Sequence, residues 1–298
     1  MVDGVARKPV VERLAIIGVG LIGGSWARAL RVARQVGEVV GCGRSPEHLQ
    51  RAVDLGVIDR FSTDPAVAVA GADLVVVAVP LGAMGQVFSA IKPALAPAAV
   101  VTDVGSAKAS VVSDARAALG DAFPGFVPGH PIAGTEKSGV EASFPDLYRN
   151  RRVILTPLAE TRPEAVRLVR DAWRVAGAQV TEMGVTHHDE VLAATSHLPH
   201  VLAYGLVDTL SRWSDRDEIF QYAAGGFRDF TRIASSDPEM WRDICLANGD
   251  AVVDALERYT ADLADLTEAV RERDGERLRR CFCNARDARR RFLAMLEE

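Results

Sequence analysis

The chain has 298 residues, 48% hydrophobic and 25% charged, an ordinary globular composition that supports a sizeable core and excludes wholesale disorder. This length predicts two domains. A formal net charge of −5 argues against a polyanionic partner, so no nucleic acid is expected.

Four cysteines, Cys42, Cys245, Cys281 and Cys283, form no CxxC pair and read as reduced thiols of a cytoplasmic protein. The apolar run over 72–81 is too short to cross a bilayer and stops at Pro80, and residues 1–13 lack the apolar core of a signal peptide. No membrane association is expected.

In chain order, Leu14–Ile17 is a short apolar strand, followed by a helical pattern from Leu21 to Val36. A second strand closes at Val39-Val40, and a helix begins at Pro46, where proline suits a first turn. Leu74–Val79 and Ala99–Thr102 are apolar and largely β-branched on both faces, as central parallel strands are. A helix runs from Ala107 to Leu119; Arg152–Thr156 and Gln179–Met183 read as further strands around a helix over Pro163–Ala176.

Beyond Thr186 the strand signal vanishes. A long helix spans His188–Leu210 with Pro199 as a kink, and Ser235–Glu239 starts another that runs past Val270. The nine arginines from Arg271 onward face six acidic residues and read as a solvated helix face. The expected architecture is an α/β Rossmann-type nucleotide-binding domain with a mainly parallel sheet over 1–184, then an all-helical domain over 185–298.

Gly18-Val19-Gly20-Leu21-Ile22-Gly23 is a GxGxxG directly between a strand and a helix. Gly18 allows a tight turn, Gly20 lets backbone approach a pyrophosphate, and Gly23 permits close helix–strand packing. Leu21 and Ile22 open the helix whose N–H groups meet phosphate, while Val79 and Pro80 end the next central strand along the same cofactor. Where an NAD site offers a carboxylate, about twenty residues past the loop, this chain has Gly43-Arg44-Ser45. Arg44 can pair with a 2′-phosphate and Ser45 can donate to it, so NADP is favoured over NAD.

Six histidines are few enough to weigh singly. His48 reads as surface, and His187 and His188 as caps or exposed residues. His130 lies in a glycine-rich loop directly after the apolar Phe126-Val127, where an open α/β sheet places its ligand crevice. A histidine there can accept a hydroxyl proton while hydride leaves the same carbon. His197 and His200 share one helix face; a metal site would need further ligands at matching spacing, and none is visible. Arg232, after Gly225-Gly226, can offer a fork to a carboxylate, with Asp229 or a neighbour orienting it.

Five stretches taken together resemble the prephenate/arogenate dehydrogenase family: TDVGSAK at 102–108, GHPIAGTEKSG at 129–139, SHLPH at 196–200, GGFRDFTRIA at 225–234 and SDPEMW at 236–241. The resemblance covers nearly the whole chain and is of the monofunctional core form. It implies oxidative decarboxylation of prephenate to 4-hydroxyphenylpyruvate, with arogenate as the alternative substrate or dual cyclohexadienyl specificity. It also implies that His130 is catalytic at the ring hydroxyl and that Ser106 holds substrate and His130. Arg232 binds the ring carboxylate, His200 lines the pocket, and Glu136 and Trp241 lie near it, with Thr135 beside Glu136 in the same loop. The helical domain would carry substrate contacts and form a homodimer.

Two other classes of protein fit the sequence less well. A β-hydroxyacid dehydrogenase relies on a lysine in the first long helix of its second domain, and residues 188–210 contain none. A non-catalytic NADP-sensing module would have little use for His130, His200 and Arg232 at one crevice.

Overall fold

A computed structural model describes residues 8–135, 137–214 and 216–297. Six parallel strands form the main sheet: β1 (Val11–Ile17), β2 (Val36–Cys42), β3 (Arg60–Ser62), β4 (Leu74–Val77), β5 (Val100–Asp103) and β6 (Phe126–Val127), in the spatial order β3-β2-β1-β4-β5-β6. Leu14–Ile17 of β1 face Leu74–Val77 of β4 in register, and all eight side chains are buried. That explains the near-continuous apolar runs, since a parallel strand is covered on both faces. The order reverses between β1 and β4, which opens the ligand crevice beyond their carboxyl ends.

Helices α1 (Leu21–Val32), α2 (Pro46–Asp54), α3 (Pro65–Val69), α4 (Met84–Ile91) and α5 (Ala109–Leu119) connect the strands. Local sequence sets several of their starts. Ser45 and Asp64 cap α2 and α3 by accepting a backbone N–H, each with proline as the next residue.

The later strands do not extend the main sheet. Strand β7 (Gly129–Pro131) pairs antiparallel with β8 (Arg152–Leu155), which pairs parallel with β9 (Gln179–Glu182), giving a separate three-stranded sheet. The sequence signal had no strand at 129–131, because Gly-His-Pro carries none of the β-branched pattern. Helix α6 (Pro163–Val175) bridges the two sheets' faces. Its Trp173 stacks on Trp26 of α1, with ring centroids 3.8 Å apart and planes at 6°, and the Trp26 Nε1–H donates to the Ala172 carbonyl at 3.3 Å. Tyr148 completes this cluster by donating to the Ile22 carbonyl at 2.5 Å, which ties the first turn of α1 to the core.

After Glu182 the chain is helical: α7 (Val185–Leu192), α8 (Leu198–Ser211), α9 (Arg216–Gln221), α10 (Gly225–Thr231) and α11 (Pro238–Ala247). The expected single helix over 188–210 is two, joined by a π-helical turn at Ala193–His197. Pro199 is the cause: it has no N–H to give and its ring crowds the carbonyl of Thr195, so the turn widens. The helix from Pro238 likewise ends at Ala247, with Asn248 out of helical geometry, before α12 (Gly249–Arg271).

The chain forms two compact units, Met1–Gly249 and Asp250–Glu298. The change from mixed to all-helical structure near residue 185 therefore lies inside the first unit. The second unit is a pair of long helices, α12 and α13 (Gly275–Glu297), with α13 begun by Asp274, whose carboxylate accepts the Arg277 N–H at 2.9 Å. Among the described residues no helix is long and apolar enough to cross a membrane.

Candidate active site

The glycine loop has the geometry a dinucleotide needs. Gly18 has φ +97°, and a Cβ there would meet the Ala78 carbonyl oxygen at 2.3 Å. A Cβ on Gly23 would sit 2.7 Å from Ile16 Cγ2. Gly20 differs, because a Cβ there would meet nothing within 4 Å: its missing side chain leaves open space, not a packing contact. Gly20 is also the N-cap of α1, which has no side-chain cap and no acidic residue in its first turn. The first-turn N–H groups at Leu21 and Ile22 would hold a pyrophosphate there.

At the end of β2, Arg44 is exposed and Gly43 supplies no carboxylate. The Ser45 hydroxyl is already committed: it accepts the His48 N–H at 3.1 Å and donates to Glu47 Oε2 at 2.8 Å. His48 departs from its expected surface role. Its Nε2 lies 2.9 Å from the Val19 carbonyl, so the ring braces the glycine loop from α2. Helical spacing cannot reveal that contact, which is long-range.

The chemistry-bearing cluster forms where β5 and β7 meet α7. Asp103, at the end of β5, is wholly buried; it accepts the Gly105 N–H at 2.7 Å and the Gly129 N–H at 3.1 Å. Lys108, also wholly buried, donates Nζ to Asp103 and to the Gly129 carbonyl at 2.8 Å. This pair fixes the strand that carries His130. A buried ion pair with its remaining groups satisfied is tolerable; breaking one partner would strand the other charge.

His130 Nδ1 lies 2.9 Å from His188 Nε2, and His188 Nδ1 lies 2.7 Å from Asp189 Oδ1. His188 is fully buried, which corrects its reading as a cap or exposed residue. The sequence signal was available only as an adjacent His-Asp pair; what makes it functional is the approach of β7. Asp189 accepts the Lys108 N–H at Oδ1 and the Ala109 N–H at Oδ2, both at 2.8 Å, and so caps α5 from a different helix. Burial would raise the Asp189 carboxyl, but His188 and those two N–H groups outweigh it and hold the acid below its usual range. Burial drives the His130 imidazole well below 6.5, helped by repulsion from His188, Lys108 and His197.

A second group lies on the π turn, α8 and α11. Asn248 Nδ2 donates to the Asp189 carbonyl at 2.8 Å and lies 3.1 Å from His197 Nδ1, so Nδ1 accepts and the His197 proton sits on Nε2. His197 is the core histidine of the pair, and burial lowers it to about 4. His200 is half-buried, donates Nδ1–H to the Ser196 carbonyl at 2.8 Å and stacks on Trp241. Burial also lowers His200, and nearby Arg232 adds to this by repulsion. Arg232 itself is exposed, in a short 3-10 turn (Arg232–Ser235) after α10.

Ser106 is half-buried in the turn between β5 and α5. Thr135 is exposed, accepts the Lys137 N–H at 3.2 Å, and lines a groove of about 440 Å³ with Phe144, Asp146 and Arg149; neither His130 nor Arg232 lines it. Glu136 lies outside the described residues.

A glycine-loop crevice at a sheet's switch point, with a buried histidine at its edge, defines a dinucleotide-binding protein of the dehydrogenase class. Comparison with known proteins narrows this. The model of the prephenate dehydrogenase nucleotide-binding domain matches residues 26–182, and that of the prephenate dehydrogenase dimerization domain matches residues 185–284. The cyclohexadienyl dehydrogenase of Zymomonas mobilis is 41% identical, covering 94% of this chain and 96% of its own length. The Bacillus subtilis prephenate dehydrogenase is 35% identical, covering 93% of this chain and 75% of its own. Among solved structures, prephenate dehydrogenase from A. aeolicus in complex with hydroxyphenyl propionate and NAD+ superposes with a TM-score of 0.89, at 40% identity over 94% of this chain and 98% of that one. Synechocystis arogenate dehydrogenase gives 0.80 at 26% identity, over 94% and 99%. The chain belongs to the prephenate dehydrogenase family.

Proposed function

We propose that this protein converts prephenate to 4-hydroxyphenylpyruvate by oxidative decarboxylation, using a nicotinamide dinucleotide. The observation that carries the reading is His130: a buried, uncharged imidazole at the sheet's ligand crevice, one hydrogen bond from His188. A bound nicotinamide supplies the hydride acceptor, and the chain supplies alignment and electrostatics.

His130 takes the proton of the ring hydroxyl as that carbon becomes a carbonyl. The carbonyl, conjugated with the ring, is the electron sink for loss of the ring carboxylate, and aromatisation makes that loss downhill. Arg232 pairs with the ring carboxylate from the mouth of the site, Ser106 holds substrate and His130, and His200 and Trp241 border the substrate. Arg232 must not hold the departing carboxylate too tightly, because stabilising the ground state slows its loss. Its exposed position suits that requirement, since a solvated ion pair is weak.

NADP is favoured over NAD, with Arg44 as the partner of a 2′-phosphate. Glu47, hydrogen-bonded to Ser45, opposes this preference from the same turn. Residues 1–184 form the dinucleotide-binding domain, and 185–298 the substrate and dimerisation domain of a cytoplasmic homodimer. The dimer is supported by the apolar row Val253, Leu256, Ala261 and Ala264 on α12.

The test is reduced-nicotinamide formation by the purified protein with prephenate, NAD and NADP being supplied in parallel. Turnover is expected with prephenate. Turnover with arogenate alone would reassign the substrate to that of the similar Synechocystis arogenate dehydrogenase.

A further inference from the structure

We infer that His188 is a positioning residue that fixes the tautomer of His130, with Asp189 as the anchor that sets the direction of every hydrogen bond between them. The inference rests on the proposed role of His130 as the proton acceptor, and it adds His188, which sequence reading left as a cap or exposed residue, and its neighbour Asp189.

The argument is proton bookkeeping along three side chains. Asp189 accepts two backbone N–H groups at the start of α5, both at 2.8 Å. Those bonds and His188 hold its carboxyl below the usual range, so it is an ionised carboxylate, which can only accept. His188 Nδ1, 2.7 Å from Asp189 Oδ1, must then carry a proton. His188 is wholly buried, and with its ring proton held on Nδ1 by Asp189 its Nε2 is the bare lone pair of the ring. His130 Nδ1, 2.9 Å from that lone pair, must donate to it. Uncharged His130 is left with an unprotonated Nε2, the atom free to take a hydroxyl proton.

Without His188 the two tautomers of a neutral imidazole are nearly equivalent, and the one protonated at Nε2 cannot act as base. When His130 takes the proton at Nε2, the substrate O–H bond breaks and an N–H bond forms. The new cation keeps its Nδ1–H on His188, one further hydrogen bond from the Asp189 carboxylate. No proton has to move along the chain. The charged and titratable groups around His130 are Lys108 before α5, Asp103 on β5, His188 and Asp189 on α7, and His197 on the π turn; the carboxylates favour the imidazolium and the Lys108 ammonium opposes it.

The decisive measurement is 15N NMR of the histidine-labelled full-length protein, assigned with His130→Gln and His188→Gln. His130 is expected to show a protonated Nδ1 and an unprotonated Nε2 at neutral pH. The reverse, with the proton on Nε2, would mean that His188 is the charged partner and overturns the inference. Kinetics gives the second readout. His188→Leu should lower kcat by about 100-fold, the range of a lost general base, leave the prephenate KM within about threefold, and move the acid limb of the kcat profile.

His188→Gln places a carbonyl oxygen near the lost Nε2 and should recover about tenfold of that loss. An unmoved pH limb in His188→Leu, or no recovery in His188→Gln, would reduce His188 to a structural residue. If His130→Ala retains activity, the proton-acceptor role itself fails; if it does not while His188→Leu is unimpaired, only this inference fails.

Discussion

Trp241 lies flat against His200, with ring centroids 3.6 Å apart and planes 18° apart, while the edge of His197 meets the same indole at 6.1 Å. Three rings from the π turn, α8 and α11 thus form one wall, and two of its donors, Trp241 Nε1–H and His197 Nε2–H, are buried without a partner. Trp241→Phe keeps the stack and deletes one such donor. Melting temperature should hold within a few degrees, and the prephenate KM should rise about two- to tenfold, the worth of one hydrogen bond. Trp241→Ala empties the wall and should destabilise by about 3–5 kcal/mol, which chemical denaturation would measure.

His130 and Arg232 should separate in steady-state kinetics. His130→Ala should lower kcat by about 10²–10⁴-fold with little change in KM, because its contribution arises as the proton moves. Arg232→Ala should instead raise the prephenate KM by at least about tenfold, the loss of a charge-assisted pair, with kcat within a few-fold. The opposite pattern would exchange the two roles.

The glycines of the loop make different demands. Gly18→Ala combines a left-handed φ of +97° with a 2.3 Å clash against the Ala78 carbonyl, so it should destabilise by more than about 2 kcal/mol. Gly20→Val meets nothing within 4 Å and should fold like the parent, yet weaken dinucleotide binding by at least about tenfold, because the side chain fills the phosphate approach. Calorimetric titration with NAD and NADP, beside thermal melts, would separate these effects.

The proposed preference for NADP sets two opposed charges against each other near Ser45. Arg44→Ala should lower kcat/KM for NADP by about tenfold with little effect on NAD. Glu47→Gln should shift the ratio the other way, since its carboxylate holds the Ser45 hydroxyl and repels a phosphate. An unchanged NADP-to-NAD ratio in both variants would remove this turn from cofactor selection.

Stability should fall in acid before any carboxylate titrates. His197 has a folded value of about 4 against an ordinary 6.5, a fall set chiefly by burial. The unfolded chain therefore binds this proton first: stability is untouched above about pH 6.5, declines toward pH 4 and levels off below it. The full difference is about 3 kcal/mol. Comparing urea midpoints of the parent and His197→Gln at pH 7 and 4.5 should show a smaller loss in the variant. The kcat profile should have an acid limb only, displaced below 6.5 because His130 is depressed in the same direction.

The sequence by itself determined whatever depends on neighbours along the chain. Buried parallel strands announce themselves as apolar runs, Ser45-Pro46 and Asp237-Pro238 cap their helices within a few residues, and GxGxxG works through its own backbone. His130, too, was legible from its loop. Tertiary structure alone decided the partners of these residues. Strand β7 has no β-branched pattern and exists because β8 pairs with it. Pro199 accounts for the π turn locally, but only packing buries His197 there and leaves His200 against Trp241. His188 reads as a cap or exposed residue until β7 meets it, 58 residues away in sequence, and Asp189 gains its role only where the start of α5 closes over it. Hydrogen-bond direction depends on which atoms meet across the fold, and no period or spacing along one chain segment contains that information.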